Sequence, residues 1–153
     1  MMPKLRDIGI RTENPVVKPA SYGNTTPILH EILHALRHLQ QTGEPTTIDL
    51  RAIPFGPGDE QQLKHLLGRG EVAVQLHALG KSEIWETAYP GVWMLEHNNT
   101  AGERLAWQIE VTCIPAILQT PAEDLAESID RLDGQLSAAS IDAGMTDPGG
   151  RDG

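Results

Sequence analysis

The sequence predicts an α+β fold of two layers, a mainly antiparallel four- to five-stranded sheet with helices on one face. Three observations lead there. Apolar residues recur at helical spacing near both ends of the chain, the period changes to two between residues 71 and 114, and turn-forming residues separate the alternating segments. An order of helix, strand, helix, several strands and helix is satisfied when helices pack on an antiparallel sheet.

The first helix is expected after Thr26, a natural N-cap, with Pro27 in the first turn and Gly43 closing the far end. Its apolar stripe is Ile28, Leu29, Ile32, Leu33, Leu36 and Leu39. Residues 47–53 alternate up to Pro54, as a half-buried strand does. A shorter helix follows the Gly-Pro-Gly turn, with Asp59 and Glu60 at its positive end, Leu63, Leu66 and Leu67 on its buried face, and Gly68 ending it. Four strands, 71–79, 82–89, 91–97 and 103–112, then form a meander through Gly80-Lys81 and Asn98 to Gly102. Val72, Val74, Leu76 and Ala78 share one face, as do Leu105, Trp107, Ile109 and Val111, so the strands are expected to bury one side. The last helix opens on the capping box Thr120-Pro121-Ala122-Glu123 and carries the stripe Leu125, Ile129, Leu132 and Leu136. The expected organisation is a loosely ordered segment over 1–23, a single domain over 24–140 and a disordered tail over 141–153.

Bulk composition excludes several functions. The net charge of −9 opposes a phosphate backbone, and the 12 Lys and Arg are scattered rather than gathered in a basic patch. No nucleic-acid partner is expected. Neither a membrane span nor a signal peptide is legible, which places the chain in the cytoplasm. The single cysteine, Cys113, lies in the apolar run Val111 to Ile114 and is expected to be buried as a small hydrophobe, without a redox or iron–sulfur role.

The sharpest catalytic motif is His30-Glu31-Ile32-Leu33-His34, which matches the H-E-x-x-H pattern of zinc hydrolases on a helical segment. The positions that would carry the extended motif are Arg37 and Gln40, and no other motif supplies a third ligand. His30, His34 and His38 fan out opposite the leucine stripe, as a solvated histidine face does. No metal site and no cofactor are therefore expected, with His30, His34 and His38 as the weak alternative. Gly68-Arg69-Gly70-Glu71 reads as turn chemistry, an anion site being the alternative. Residues 84–95 hold two of the three tryptophans and one of the two tyrosines, with apolar groups on both faces of the strand. A one-sided sheet buries only one set. The surplus packs under the N-terminal segment, meets a homodimer seam or waits for a partner.

Four strings carry a family resemblance: Thr47 to Pro54, Gly68-Arg69-Gly70-Glu71-Val72, Glu86-Thr87-Ala88-Tyr89-Pro90-Gly91-Val92-Trp93, and Glu110 to Leu118. In order and spacing they resemble the C-terminal domain of the HupH/HyaF-type hydrogenase expression/formation proteins over about residues 28–120. Members are commonly longer, with an additional N-terminal region. The resemblance implies a non-catalytic, chaperone-like accessory protein for maturation or assembly of a [NiFe] hydrogenase. Its implied partners are the hydrogenase small-subunit precursor or other maturation proteins. The expected contact surface is Arg69, Gly70, Glu71, Glu86, Tyr89, Pro90, Gly91 and Trp93, and the competing function is the zinc hydrolase on His30, Glu31 and His34.

Overall fold

The computed structural model describes residues 23–144. They fall into two compact units that divide between Pro115 and Ala116. The expected loose segment, Gly23 apart, and residues 145–153 of the expected tail lie outside the described residues.

In the first unit helix α1 spans Thr25–Thr42 and ends on Gly43, whose left-handed φ of 76° lets its N–H reach the Leu39 carbonyl at 2.8 Å. The helix starts two residues earlier than capping by Thr26 implies. Asn24 takes the cap position, but its side-chain amide donates to the Pro54 carbonyl, tying the helix start to the chain after the first strand. Ile28, Ile32 and Ala35 are buried, Leu29, Leu36 and Leu39 half-buried, and Leu33 is exposed. At about 100° per residue Leu33 stands about 100° round from Ile32, off the edge of the stripe.

Strand β1 is Thr46–Asp49, shorter than the alternation suggests. The Asp49 carboxylate accepts the Arg51 N–H at 2.9 Å and turns Leu50–Ala52 into a 3₁₀ turn, which drives Leu50 fully into the core. Helix α2 spans Asp59–Leu67 and buries Leu63 and Leu67, while Leu66 stays exposed. Asp59 is buried at its start, where its carboxylate accepts the Gly56 N–H at 2.8 Å.

Strands β2 (Ala73–Leu76), β3 (Ser82–Glu86), β4 (Val92–Asn98) and β5 (Arg104–Val111) complete an antiparallel sheet of order β1-β5-β4-β3-β2. Its register aligns Ala73, Trp85, Met94, Ile109 and Ile48 across one face. The α1 and α2 side chains pack there, with Val92, Trp107 and Val111 in the same core. The α+β prediction therefore holds, with two helices on the sheet.

Three details differ from the expected pattern. His97 pairs with Ala106 but Asn98 pairs with Arg104, so Leu105 is an extra residue in a bulge; it is exposed instead of sharing the Trp107 face. The β2 side chains Val74 and Leu76 alternate away from Ala73 and so belong to the sheet's other face, and Val72 is exposed. On that other face Ile84, Leu95 and Trp93 are buried as fully as the helix-side residues, so β3 and β4 are buried on both sides.

The second unit holds a 3₁₀ turn, Ala116–Leu118, and helix α3, Ala122–Gly144. The helix begins one residue later than capping by Thr120 implies and reaches into the expected tail. None of its side chains is buried, so Leu125, Ile129, Leu132 and Leu136 form an open stripe, where the sequence pattern suggested a core-facing one.

Candidate functional site

The two most specific sequence strings meet at one corner of the first unit. The Gly70 N–H donates to the Glu86 carbonyl at 2.8 Å, the Glu86 N–H to Val72 at 2.9 Å, and the Ala88 N–H to Leu67 at 2.8 Å. The strand end and the loop leaving α2 are thus laced together by backbone bonds. A side chain on Gly70 would stand 2.6 Å from the Thr87 carbonyl oxygen, which explains glycine at this close approach.

The β3–β4 turn is built from its own polar groups. Buried Thr87 accepts the Tyr89 N–H on its hydroxyl at 3.2 Å, and its own N–H reaches the Val92 carbonyl at 2.9 Å. Glu86 accepts the Gly91 N–H on its carboxylate at 3.2 Å, and Gly91 has φ 88°. Beyond the turn the Gly91 carbonyl accepts the Thr112 N–H at 2.9 Å, and the Trp93 indole donates to the Thr112 carbonyl at 3.1 Å. Glu86, Thr87, Gly91 and Trp93 are therefore committed to holding the turn. Tyr89, 53% exposed, and Pro90 are what it presents.

Trp93 is only 5% exposed, which corrects its expected place as a surface anchor. Arg69 is exposed and lays its guanidinium over the Trp85 ring at 4.3 Å. Glu71 is exposed beside it.

Between this turn and α1 runs an apolar groove. One part is lined by Leu33, Leu36, Arg37, Gln40, Glu86, Pro90, Gly91 and Cys113; a smaller part of about 220 Å³ is lined by Leu29, Ile32, Leu33, Leu36, Leu67 and Tyr89. Leu33 and Leu36 wall both. Cys113 is exposed here, contrary to the expected burial, because β5 ends at Val111 and the alternation lapses in the bend that follows. Leu33 and Cys113 were not expected at a surface, although the helical wheel of α1 contained the signal for Leu33.

A charged cluster towards the start of α2 has no local signature in the sequence. Lys64 meets Glu96 at 2.6 Å and Glu60 at 3.3 Å, and Arg104 meets Glu60 at 2.6 Å. The Arg104 guanidinium, hydrogen-bonded to Glu60, holds that carboxyl below its ordinary value against the opposing effect of burial, and Lys64 adds to the lowering. The same hydrogen bond raises Arg104. Arg104 also lies 4.6 Å from the Trp107 ring, and Lys64 stands within 6 Å of both Trp85 and Trp107, at 5.9 and 5.8 Å. Alternating cations and indoles thus roof the edge of the core.

Among the described residues no third ligand meets the H-E-x-x-H segment. His30, Glu31 and His34 are exposed, and His38 pairs with Glu44 at 3.1 Å. Among the described residues no three His, Cys, Asp or Glu side chains converge as a metal site requires. No described helix is long and apolar enough to cross a membrane.

Residues 23–139 match the family described as the HupH hydrogenase expression protein, C-terminal conserved region. The chain is 33% identical over 111 residues to the hydrogenase expression/formation protein HoxQ of Azotobacter vinelandii, covering 71% of this chain and 39% of that protein. It is 30% identical over 109 residues to the hydrogenase-1 operon protein HyaF of Escherichia coli, covering 71% and 38%. It therefore spans about two fifths of the length of these relatives. The solved structure of the hydrogenase expression protein HupH from Thiobacillus denitrificans is 43% identical, superposes with a TM-score of 0.74, and is matched over 76% of this chain and 98% of that one. With the G-R-G-E-V and E-T-x-Y-P-G-V-W strings forming one laced corner of the same fold, the chain belongs to the HupH hydrogenase expression protein family, through its C-terminal conserved region.

Proposed function

We propose that this protein is a non-catalytic accessory factor of [NiFe] hydrogenase maturation, acting in the cytoplasm by binding the hydrogenase small-subunit precursor or another maturation protein. The observation that carries this reading is the groove beside the family's most specific strings. Leu33, 44% exposed, and Tyr89 leave apolar surface open at a corner whose backbone is rigidly bonded, a combination suited to docking a protein segment. Glu86, Tyr89, Pro90 and Gly91 line that surface, with Tyr89 as its aromatic anchor and Trp93 as its internal support, and Arg69, Gly70 and Glu71 on the adjoining string complete the proposed contact set. Family membership supports the hydrogenase context.

The test is binding of purified small-subunit precursor to the unchanged chain and to Tyr89→Ala and Leu33→Asp. The expected result is measurable binding by the unchanged chain and a loss of about thirtyfold for at least one variant, with melting temperatures nearly unchanged. No binding by the unchanged chain to this precursor or to other maturation proteins would remove the reading.

A further inference from the structure

Among the described residues β2 is an edge strand, paired with β3 on one side only. The backbone fixes which groups its outer side shows. The Glu86 N–H donates to the Val72 carbonyl at 2.9 Å, so alternation turns the N–H and C=O of Val72, Val74 and Leu76 inward to β3 and those of Ala73 and Gln75 outward. Both of these residues are exposed. Sheet edges are usually blunted by proline, charge or a bulge. Pro45 and the Asp49 turn bound β1 at the other edge, but Ala73–Leu76 holds no proline and no charge and pairs without a bulge.

The sequence around this open edge is complementary to itself. Laid antiparallel on a second copy about a two-fold through Val74, β2 sets the outward groups of Ala73 against those of Gln75. On the face shared with Ile84 it sets Val74 against Val74 and Val72, 43% exposed on its own, against Leu76. Just beyond the strand ends Glu71, an acceptor, meets His77, a donor. Glu83, opposite Gln75 on β3, is already paired with Lys81 at 2.9 Å and adds no unpaired charge to the seam. A shift of two residues either way loses the Glu71–His77 pair and sets Leu76 against Gly70 or Val72 against Ala78.

We infer that the outer edge of β2 is a homodimer seam, on which a second copy of this chain adds its own β2 antiparallel, centred on Val74, so that one sheet runs through both molecules. The seam is distinct from the aromatic strand β4, which lies inside the sheet. It goes beyond the accessory reading, and its test needs no hydrogenase component.

Sedimentation of the full chain over a range of concentrations reads the seam. The expected result is a concentration-dependent dimer that is lost in Gln75→Pro, which removes an outward N–H and leaves the β3 ladder whole. Circular dichroism and melting temperature are measured alongside and should be retained. His77→Glu should weaken the dimer about tenfold, and adding Glu71→Lys to it should restore it. In a Cys113→Ser background Val74→Cys should cross-link copy to copy under mild oxidation, whereas Leu76→Cys, which faces Val72 of the second copy, should not. Should Gln75→Pro fail to fold, the exchanged charges and the cross-link decide in its place. A monomer at every concentration, a dimer that persists in folded Gln75→Pro, or equal cross-linking at the two positions overturns the inference.

Discussion

Gly70 and Thr87 are separated by less than a side chain: a Cβ on Gly70 would lie 2.6 Å from the Thr87 carbonyl oxygen and 3.3 Å from that of Glu86. Both obstacles are backbone, so neither yields cheaply. Gly70→Ala is expected to destabilise the first unit by about 1–3 kcal/mol, the cost of overpacking a fixed site. Gly134 in α3 meets nothing within 4 Å, so Gly134→Ala should raise helicity, in line with a gain of about 1 kcal/mol. Denaturant unfolding and circular dichroism separate the two. An unfolding midpoint for Gly70→Ala equal to that of the unchanged chain would show that the corner is looser than its bonding implies.

Trp93 and Tyr89 should behave oppositely. Trp93 is buried and bonded to Thr112, and cutting it to alanine is expected to cost about 3–5 kcal/mol of folding stability. Tyr89 lies half outside the core, so Tyr89→Ala should cost under about 1 kcal/mol and act mainly on partner binding. Thermal melts of the two variants side by side check the assignment.

Glu60 makes stability depend on pH in a defined direction. Its hydrogen bond to Arg104 lowers its folded pKa below the ordinary glutamate value of 4.5. The contribution is therefore present in full above that value and is lost as pH falls below it, through the lowered folded pKa. Glu60→Gln is expected to be less stable than the unchanged chain at neutral pH by at most about 1 kcal/mol, the range for half-exposed ion pairs. The gap should close in acid. A gap that is constant between neutral pH and the acid transition would show that the charge of Glu60 contributes nothing.

Cys113 is exposed at the groove and should react with a thiol reagent under native conditions, one equivalent per chain, without unfolding. Because it lines the groove, its alkylation should slow when the small-subunit precursor is bound. Native reactivity that appears only with denaturant would place the thiol inside the fold.

Removal of divalent metal should leave the structure intact, since His30 and His34 are exposed and His38 is paired with Glu44. Circular dichroism before and after dialysis against chelator measures this. A cooperative loss of structure restored by zinc would revive the histidine helix as a metal site.

Local periodicity by itself determined most of the elements. The α1 stripe and its Gly43 terminus, the short α2 between Asp59 and Gly68, the alternating strands and the amphipathic final helix all follow from spacings within a few residues. The same strings that form the laced corner also carried the family resemblance. Tertiary structure decided which faces are covered and where alternation lapses. Leu105 leaves the Trp107 face because β5 has one residue more than β4 at the bulge, and pairing with a distant strand is invisible to a local pattern. Cys113 is exposed because the ladder stops at Val111. Alternation tells which side chains share a face but not what lies over it, so Trp93 looked like an anchor and proved to be a support. For α3 the reverse holds: its apolar spacing implies burial that its own unit does not supply, because burial belongs to a pair of surfaces and the sequence of one helix describes only one of them.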